Sequence, residues 1–220
     1  RILPIRTYLD ASLDTFSSIV SNFSRLELAG EGMALQIIAR PATREIKQRV
    51  VHAIYRLKKG AKLSDMAKEP FLESPEGLKS VHKFLKAGAL QPKETNPNQE
   101  PVIVDEEAVK LLTQKIGKQI FSVNVRLIVA APTQLQADGL LEGLAGSFQQ
   151  FAAPMRNEFK IVRPRNQKSI AFQYSLRAFE KSQAMELNAD ELASVFHLPS
   201  STTAIPKIKW LKAREAAPPT

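Results

Sequence analysis

The sequence has no cysteine among its 220 residues. Disulfide bonds and thiolate-ligated metal sites are therefore excluded, and we expect a reducing, cytoplasmic compartment. The three histidines, His52, His82 and His197, lie far apart in the chain and have no carboxylates at metal-binding spacing around them. We predict no metal site, a packing or surface position for His52 and His82, and a structural role for His197.

The sequence also has no long apolar run. A membrane-spanning helix requires roughly 18–20 consecutive apolar residues, and the longest candidate, residues 123–131, is interrupted by Asn124 and Arg126. This segment is instead typical of a strand. The chain begins without methionine and shows no signal-peptide pattern. We expect it to be a piece of a longer protein.

Motifs of known catalytic chemistry are lacking as well. No serine lies in a G-x-S-x-G motif, and the glycines do not have the spacing of a phosphate-binding loop. The acidic residues have structural explanations. Asp105, Glu106 and Glu107 open a predicted helix, where negative charge stabilises the helix dipole, and Asn188 and Glu191 have the spacing of a capping box. We therefore predict a non-catalytic chain with no cofactor.

Positive charge is what the sequence has in excess. Lysine and arginine number 31 against 22 aspartates and glutamates, which gives a formal net charge of +9 and a pI near 9.8. Such a surface suits nucleic acid, anionic lipid or an acidic protein, and a surface that only confers solubility is the alternative. A basic turn at residues 163–168 is able to clamp a phosphate backbone. We predict DNA contact for Arg156, Lys160, Arg163, Arg165 and Lys168.

Hydrophobic periodicity predicts an alternation of helices and strands. The first part of the chain is expected to form an edge strand at 2–8, a helix over 9–23, a strand at 33–39 and a helix capped by Thr43. The second part is expected to form a helix over 105–116, a strand at 121–131 and a helix that ends near Phe148. This repeated order indicates a weak internal duplication, although any α+β sandwich contains such units.

Two further strands are predicted beyond the second helix–strand–helix unit. Residues 158–162 form a short β-prone run, and residues 169–179 (SIAFQYSLRAF) alternate apolar and polar side chains. A period of two is typical of a half-buried antiparallel strand. It would turn Phe159, Phe172 and Tyr174 toward the core, which argues against base stacking on these rings.

These observations predict an α+β fold. We expect two related halves, with helices packed on largely antiparallel sheets and a ferredoxin-like tendency. The predicted organisation is a first α/β half at 1–60, a helical and proline-rich insertion and linker at 61–104, a second α/β half at 105–198 and a bridge at 199–220.

The C-terminal block carries a resemblance to a known family. The segment ELASVFHLP at residues 191–199, the polar hinge after it and KIKWLKAREAAPP at 207–219 resemble the region in front of the motor in type IV secretion and conjugation coupling ATPases. These are TraG/TraD-like proteins with FtsK/HerA-type hexameric motors. The stretches GMALQIIARP at 32–41 and 121–132 are similar to one uncharacterised branch of that family.

The resemblance implies a non-catalytic accessory module that precedes the ATPase domain. Its implied role is to position DNA or partner proteins at the motor, or to help assemble the ring, on the cytoplasmic face of a bacterial membrane. The implied partners are DNA, other subunits of the secretion or conjugation apparatus and further copies of the full-length protein. Walker motifs and a membrane anchor would lie in the missing parts. The resemblance marks the bridge to the motor at Glu191, His197, Pro199 and Trp210.

Two other functions stay open at this point. The chain is alternatively a stand-alone basic protein that binds nucleic acid, which its net charge supports. It is alternatively a structural oligomerisation domain without a polyanion partner. Salt-sensitive DNA binding by this chain alone would favour the first alternative, and concentration-dependent assembly without DNA affinity would favour the second.

Overall fold

The computed structural model describes residues 2–10, 14–62 and 104–198. In these ranges helices pack against a three-stranded antiparallel sheet. The predicted α+β class is therefore confirmed. The predicted insertion at 61–104 lies almost wholly outside the described residues, as does the predicted bridge at 199–220.

The sheet has the spatial order β1, β2, β3, so that β1 and β3 form its edges. The strands are β1 (Gly32–Pro41), β2 (Ile120–Ala130) and β3 (Met185–Asn188). The described helices are α1 (Thr15–Val20), α2 (Arg44–Lys58), α3 (Glu106–Ile116), α4 (Gln134–Gly146), α5 (Gln167–Ser175) and α6 (Ala189–Val195). Short 3₁₀ segments follow α1 (Ser21–Arg25) and α4 (Ser147–Phe151), and a third (Lys181–Gln183) precedes β3.

The helix starts follow the capping residues of the sequence. The Asp105 carboxylate accepts a hydrogen bond from the Ala108 N–H at the start of α3. The predicted capping box of α6 is confirmed, with Asn188 and Glu191 each accepting a hydrogen bond from the backbone N–H of the other. Thr43 occupies the N-cap position of α2 without a side-chain hydrogen bond.

One face of the sheet covers the main hydrophobic core. Paired residues of β1 and β2 are both odd-numbered or both even-numbered, as Leu35 with Leu127 and Gln36 with Arg126. Side chains alternate along a strand, so the odd-numbered residues of both strands share this face. They pack against buried side chains from α1, α4, the 3₁₀ segment after α4, and α6, namely Ile19, Leu144, Phe148, Phe151 and Val195.

A second core lies between α2 and α3. Apolar residues of α2 at helical spacing, Val50, Ile54 and Leu57, pack against Ala108 and Leu112 of α3. All five are buried. Each of these helices buries one stripe of its surface, which is the arrangement that the 3.6-residue period of both segments predicts.

The strand predictions at 2–8 and 158–162 are wrong. The backbone of the first segment bonds to scattered partners and not to a neighbouring strand: the Arg6 N–H donates to the Phe151 carbonyl, and the Asn157 N–H donates to the Pro4 carbonyl. In the second segment Ile161 and Val162 are exposed. Neither segment is paired in the described sheet, so β-prone composition alone does not make a ladder.

The strand predicted at 169–179 is also wrong, because residues 167–175 form α5. The Asn166 side chain caps this helix by accepting from the Ser169 N–H. The helix ends with Arg177 in the left-handed region (φ 48°), and the N–H groups of Arg177 and Ala178 donate to the carbonyls of Tyr174 and Gln173. This is the Schellman arrangement of a helix C-terminus. The basic turn at 163–168 therefore leads into a helix.

Candidate functional site

The five cations predicted to contact DNA lie in different surroundings. Arg156 is half-buried, with an ion pair to Asp10 at 3.0 Å and a hydrogen bond to the Ile5 carbonyl. Arg163 contacts Glu142 of α4 at 3.1 Å and Asp138 of α4 at 3.7 Å.

The other three cations form the exposed part of the predicted site. Lys160, Arg165 and Lys168 are exposed and make no ion pair with the described residues. Of the three nearby rings, Phe159 packs on Phe148 and Phe151 as predicted, whereas Phe172 is exposed. Phe172 was expected in the core, and it lies outside because α5 is a helix.

Glu191 lies in the core. It forms a buried ion pair with Lys115 of α3, with 3.1 Å between the ammonium and one carboxylate oxygen. The carboxylate also accepts from the backbone N–H groups of Ile5 and Asn188, and the ammonium donates to the Glu186 carbonyl. Burial lowers the pKa of the Lys115 ammonium, and the Glu191 carboxylate opposes this shift. Glu191 therefore joins the N-terminal segment, α3, β3 and α6.

His197 links the end of α6 to the start of α1. Its Nε2 lies 2.9 Å from the Asp14 carboxylate, which also accepts from the backbone N–H groups of Phe16 and Ser17 as the N-cap of α1. Burial lowers the pKa of His197, but its hydrogen bonds to the Leu198 carbonyl and to Asp14 outweigh burial, and the pKa is raised. Burial raises the pKa of Asp14, but its hydrogen bonds outweigh this, and the pKa is lowered.

The His197–Asp14 pair predicts a defined pH dependence. A raised histidine pKa contributes stability below the unfolded value of 6.5, and this contribution is lost as the pH rises through the folded pKa. A lowered aspartate pKa contributes stability above 3.8, lost as the pH falls through the folded pKa. Because both side chains are about one-third exposed, the pair contributes about 0.5–1 kcal/mol between pH 4 and 6.5.

Urea unfolding of the wild type and of His197→Gln at pH 5, 6, 7 and 8 tests this. The free energy of unfolding should fall more for the wild type than for the variant between pH 6 and pH 8. Contributions that the two proteins share cancel in the difference. Asp14→Ser retains an N-cap residue and should remove the same pH dependence. Parallel pH profiles of wild type and His197→Gln would contradict the pairing.

The remaining two predicted bridge residues, Pro199 and Trp210, lie outside the described residues. The prediction of a bridge there stays a prediction.

The even-numbered face of the sheet carries a buried polar network that holds α5 and the residues after it. The Arg126 guanidinium donates to the Gln36 side chain at 2.9 Å and to the Ala178 carbonyl at 2.5 Å. Gln36 donates to the Tyr174 carbonyl at 3.0 Å. The Asn124 side chain exchanges two hydrogen bonds with the backbone of Glu180, at 2.9 and 2.7 Å. Sheet side chains therefore bind the backbone of the segment that covers them.

An open groove of about 820 Å³ runs along the edge of β1 that pairs with no described strand, and we call it the edge groove. Its floor consists of five consecutive residues of β1, at 35–39. Because successive side chains point to opposite faces of a strand, a groove that contacts all five lies beside the strand. Its described lining includes no residue of β2. The edge groove therefore lies where a fourth strand would add to the sheet.

Two walls of different chemistry flank this floor. The wall on the odd-numbered face, the apolar wall, consists of Phe16, Val20, Phe23, Leu192 and Phe196. The wall on the even-numbered face, the polar wall, consists of Tyr174, Ser175 and Arg177. The rings of Phe16 and Phe196 stack edge-to-face at 5.3 Å, which places α1 and the end of α6 together on the apolar side.

The backbone of β1 presents free hydrogen-bonding groups to the edge groove. The Ala42 N–H donates to the Ile120 carbonyl, in line with the register of β1 on β2. Hydrogen-bonded pairs alternate along an antiparallel ladder, so the even-numbered residues of β1 bond to β2. The N–H and C=O groups of Leu35, Ile37 and Ala39 therefore point outward, and they have no hydrogen-bond partner among the described residues. The backbone nitrogen of Pro41 also points outward. Because proline has no N–H, its presence there removes no hydrogen bond to β2.

Sequence reasoning did not identify the edge groove. The strand itself was predicted at 33–39, but nothing local shows which of its sides is paired. One signal was available: Pro41 at the end of the strand is typical of an edge strand whose N–H would face away from its partner.

The described residues contain neither a metal-binding cluster nor a membrane-spanning helix. No group of three or more histidine, aspartate or glutamate side chains is arranged to hold a metal ion there. Among the same residues, no helix is long and apolar enough to cross a membrane.

Comparison with known proteins identifies a family. The family model described as "Domain of unknown function (DUF8128)" matches residues 1–211. No curated protein and no solved structure matches the chain.

Proposed function

The chain belongs to the DUF8128 family, and we propose that it is a non-catalytic module that holds a partner protein beside the motor of a type IV secretion or conjugation coupling ATPase. The edge groove carries the protein-holding part of this proposal. A strand edge that has no partner among the described residues and lies between two walls suits uptake of a polypeptide segment by strand addition. The link to a coupling ATPase is supported by the segment at 191–199 and the basic segment after it.

The use of the polar residues also supports a binding role. Glu191 and Lys115 form a buried ion pair with each other. Arg126 and Asn124 donate hydrogen bonds to the backbone of neighbouring segments. These groups hold elements together. In the full-length protein we place the module on the cytoplasmic face of the membrane, with the ATPase domain after it.

A deletion in the full-length protein tests the proposal. If a coupling ATPase follows this chain in the same gene, removal of residues 1–198 should leave ATP hydrolysis by the purified motor within about threefold. DNA or protein transfer between cells should fall by two or more orders of magnitude. A parent gene without a Walker A motif would exclude the motor, and unchanged transfer would exclude the accessory role.

A second candidate function is direct binding of DNA, which is favoured by the exposed cations Lys160, Arg165 and Lys168. Arg165 and Lys168 lie at the start of α5 and Lys160 lies in the segment before it, and the chain carries a net charge of +9. Each phosphate contact contributes about 0.9 to the slope of log K against log salt concentration.

Replacing Lys160, Arg165 and Lys168 with serine should lower the magnitude of this slope by about 2–3 for a 20-base-pair duplex. The matched control replaces the exposed Arg44, Lys47 and Lys58 of α2 with serine, which removes the same charge elsewhere. Fluorescence anisotropy between 50 and 200 mM salt measures both slopes. Equal slopes for the two triple variants would show that only net charge matters.

A further inference from the structure

The two walls of the edge groove restrict the occupant to a single extended segment. A strand that pairs with β1 turns alternate side chains to the two faces of the sheet. One set would contact the apolar wall, including Phe16 and Phe196, and the other set would contact Tyr174, Ser175 and Arg177.

The charge of the polar wall indicates the chemistry of the occupant's side chains that face it. Arg177 is the one charged residue among the described residues that line the edge groove, and it makes no ion pair in the described part of the chain. Arg40 lies on the same face at the end of β1, exposed, with its guanidinium 4.6 Å from the Phe179 ring centroid. No carboxylate belongs to the described lining. This face is therefore complementary to acidic side chains.

The backbone at Arg177 adds an independent observation. A residue with φ near +50° is most easily glycine, and a longer side chain there costs about 1 kcal/mol. The Schellman end of α5 requires this conformation, and residues other than glycine that adopt it cluster at ligand-binding and active sites. At this position the side chain supplies positive charge to the polar wall.

We propose that the edge groove binds an extended acidic segment of a partner protein as a fourth strand beside β1. Apolar side chains at alternate positions contact the apolar wall, and acidic side chains at the intervening positions face Arg177. The proposal rests on the proposed function as a protein-holding module and names the chemistry of the partner. The chain's own basic segment at 207–212 (KIKWLK) has the opposite charge pattern, since Lys207 and Lys209 would face Arg177 if Ile208 and Trp210 contacted the apolar wall.

The probe is the fluorescent peptide acetyl-Val-Glu-Val-Glu-Val-Glu-Val-amide, titrated with the full 220-residue chain at 50 mM salt. The control peptide has lysine in place of each glutamate. The glutamate peptide should bind about tenfold or more tightly than the lysine peptide, because like charges across an interface repel. Arg177→Asn, which suits a positive φ, should reduce this preference to about threefold. Equal binding of the two peptides by the wild type would overturn the acidic assignment.

Ala39→Pro tests whether the peptide adds as a strand. Ala39 is exposed and its N–H points into the edge groove, so proline removes one bond to the incoming strand and none to β2. Affinity should fall about tenfold. Ala39→Val retains the N–H and should bind like the wild type. Equal binding by the proline and valine variants, both folded by circular dichroism, would overturn strand addition.

Amide hydrogen exchange locates the occupant. In the free chain the amides of Leu35, Ile37 and Ala39 should exchange at least about tenfold faster than those of Gln36 and Ile38, and the glutamate peptide should slow them. Protection in the free chain that grows with protein concentration would assign the edge to a second copy. Protection lost on deletion of residues 199–220 would assign it to this chain's own segment. Both results would overturn the proposal.

The same variants separate this proposal from the proposed function. If Ala39→Pro in the full-length protein leaves transfer unchanged while deletion of residues 1–198 abolishes it, the module is needed and the edge groove is not its docking site.

Discussion

Replacing Glu191 with alanine should lower the free energy of unfolding by about 3–5 kcal/mol at pH 7. The change leaves the Lys115 ammonium buried without a counter-charge, and loss of one partner of a buried pair has a cost of this size. It also removes the acceptor for the Ile5 N–H, which attaches the N-terminal segment. A single domain has a total stability of about 5–15 kcal/mol, so the variant should be close to unfolding. Urea denaturation followed by circular dichroism measures the change.

The matched control is Glu142→Ala on α4. Glu142 also pairs with a cation, Arg163, but its side chain is 71% exposed. Exposed ion pairs contribute about 0–1 kcal/mol, so this variant should differ little from the wild type. The double variant Lys115→Met with Glu191→Met should be less destabilised than the sum of the two single changes, because it leaves no buried unpaired charge. Similar losses for Glu191→Ala and Glu142→Ala would contradict the structure.

Replacing Asn124 with alanine should lower the free energy of unfolding by about 2–4 kcal/mol. Asn124 is 1% exposed, and its amide satisfies both the N–H and the C=O of Glu180. Alanine leaves both backbone groups without a partner and opens a small cavity, and each effect is destabilising. The loss should be accompanied by faster amide exchange at Ala178 and Glu180, because Asn124 holds this segment on the sheet.

Ser122→Ala provides the comparison on the same face of β2. Ser122 makes one hydrogen bond, to the Glu186 side chain at 3.0 Å, and is partly exposed. Its loss should lower the free energy of unfolding by about 0.5–1 kcal/mol and leave exchange at Ala178 unchanged. If Asn124→Ala behaved like Ser122→Ala in both measurements, the segment after α5 would not depend on this anchor.

The two variants act on different parts of the edge groove. Glu191 fixes α6, which contributes Leu192 to the apolar wall, whereas Asn124 fixes the segment that follows the polar wall. The Asn124→Ala variant should therefore still bind both peptides, but with similar affinities for the glutamate and the lysine peptide.

The elements that were predicted correctly are those that short-range sequence patterns specify. Strand β1, strand β2 and helix α3 lie within a few residues of their predicted positions, and the capping box at Asn188 is present as predicted. In each case the β-branched composition, the helical spacing or the capping residue acts over fewer than a dozen residues. Information of that range is contained in the sequence.

Residues 169–179 show where local information ends. Their alternation is compatible with a strand, yet a strand requires a neighbour with free N–H and C=O groups. Here the sheet offers side chains, those of Arg126, Gln36 and Asn124, and these bind the carbonyls and N–H groups of a helix end and the turn after it. Phe172 and Leu176 are left exposed as a result. The helical conformation of this segment is therefore stabilised by side chains more than forty residues away in the chain.

The sequence by itself determined the α+β class, the main strands and the excess of positive charge, because composition and periodicity act locally. Only the tertiary structure decided that Glu191 is buried against Lys115 and that one side of β1 has no described partner. It also decided that walls of opposite character flank that edge. Burial, strand pairing and groove formation depend on contacts between segments that are far apart in the chain. The local sequence patterns of this chain did not predict those contacts.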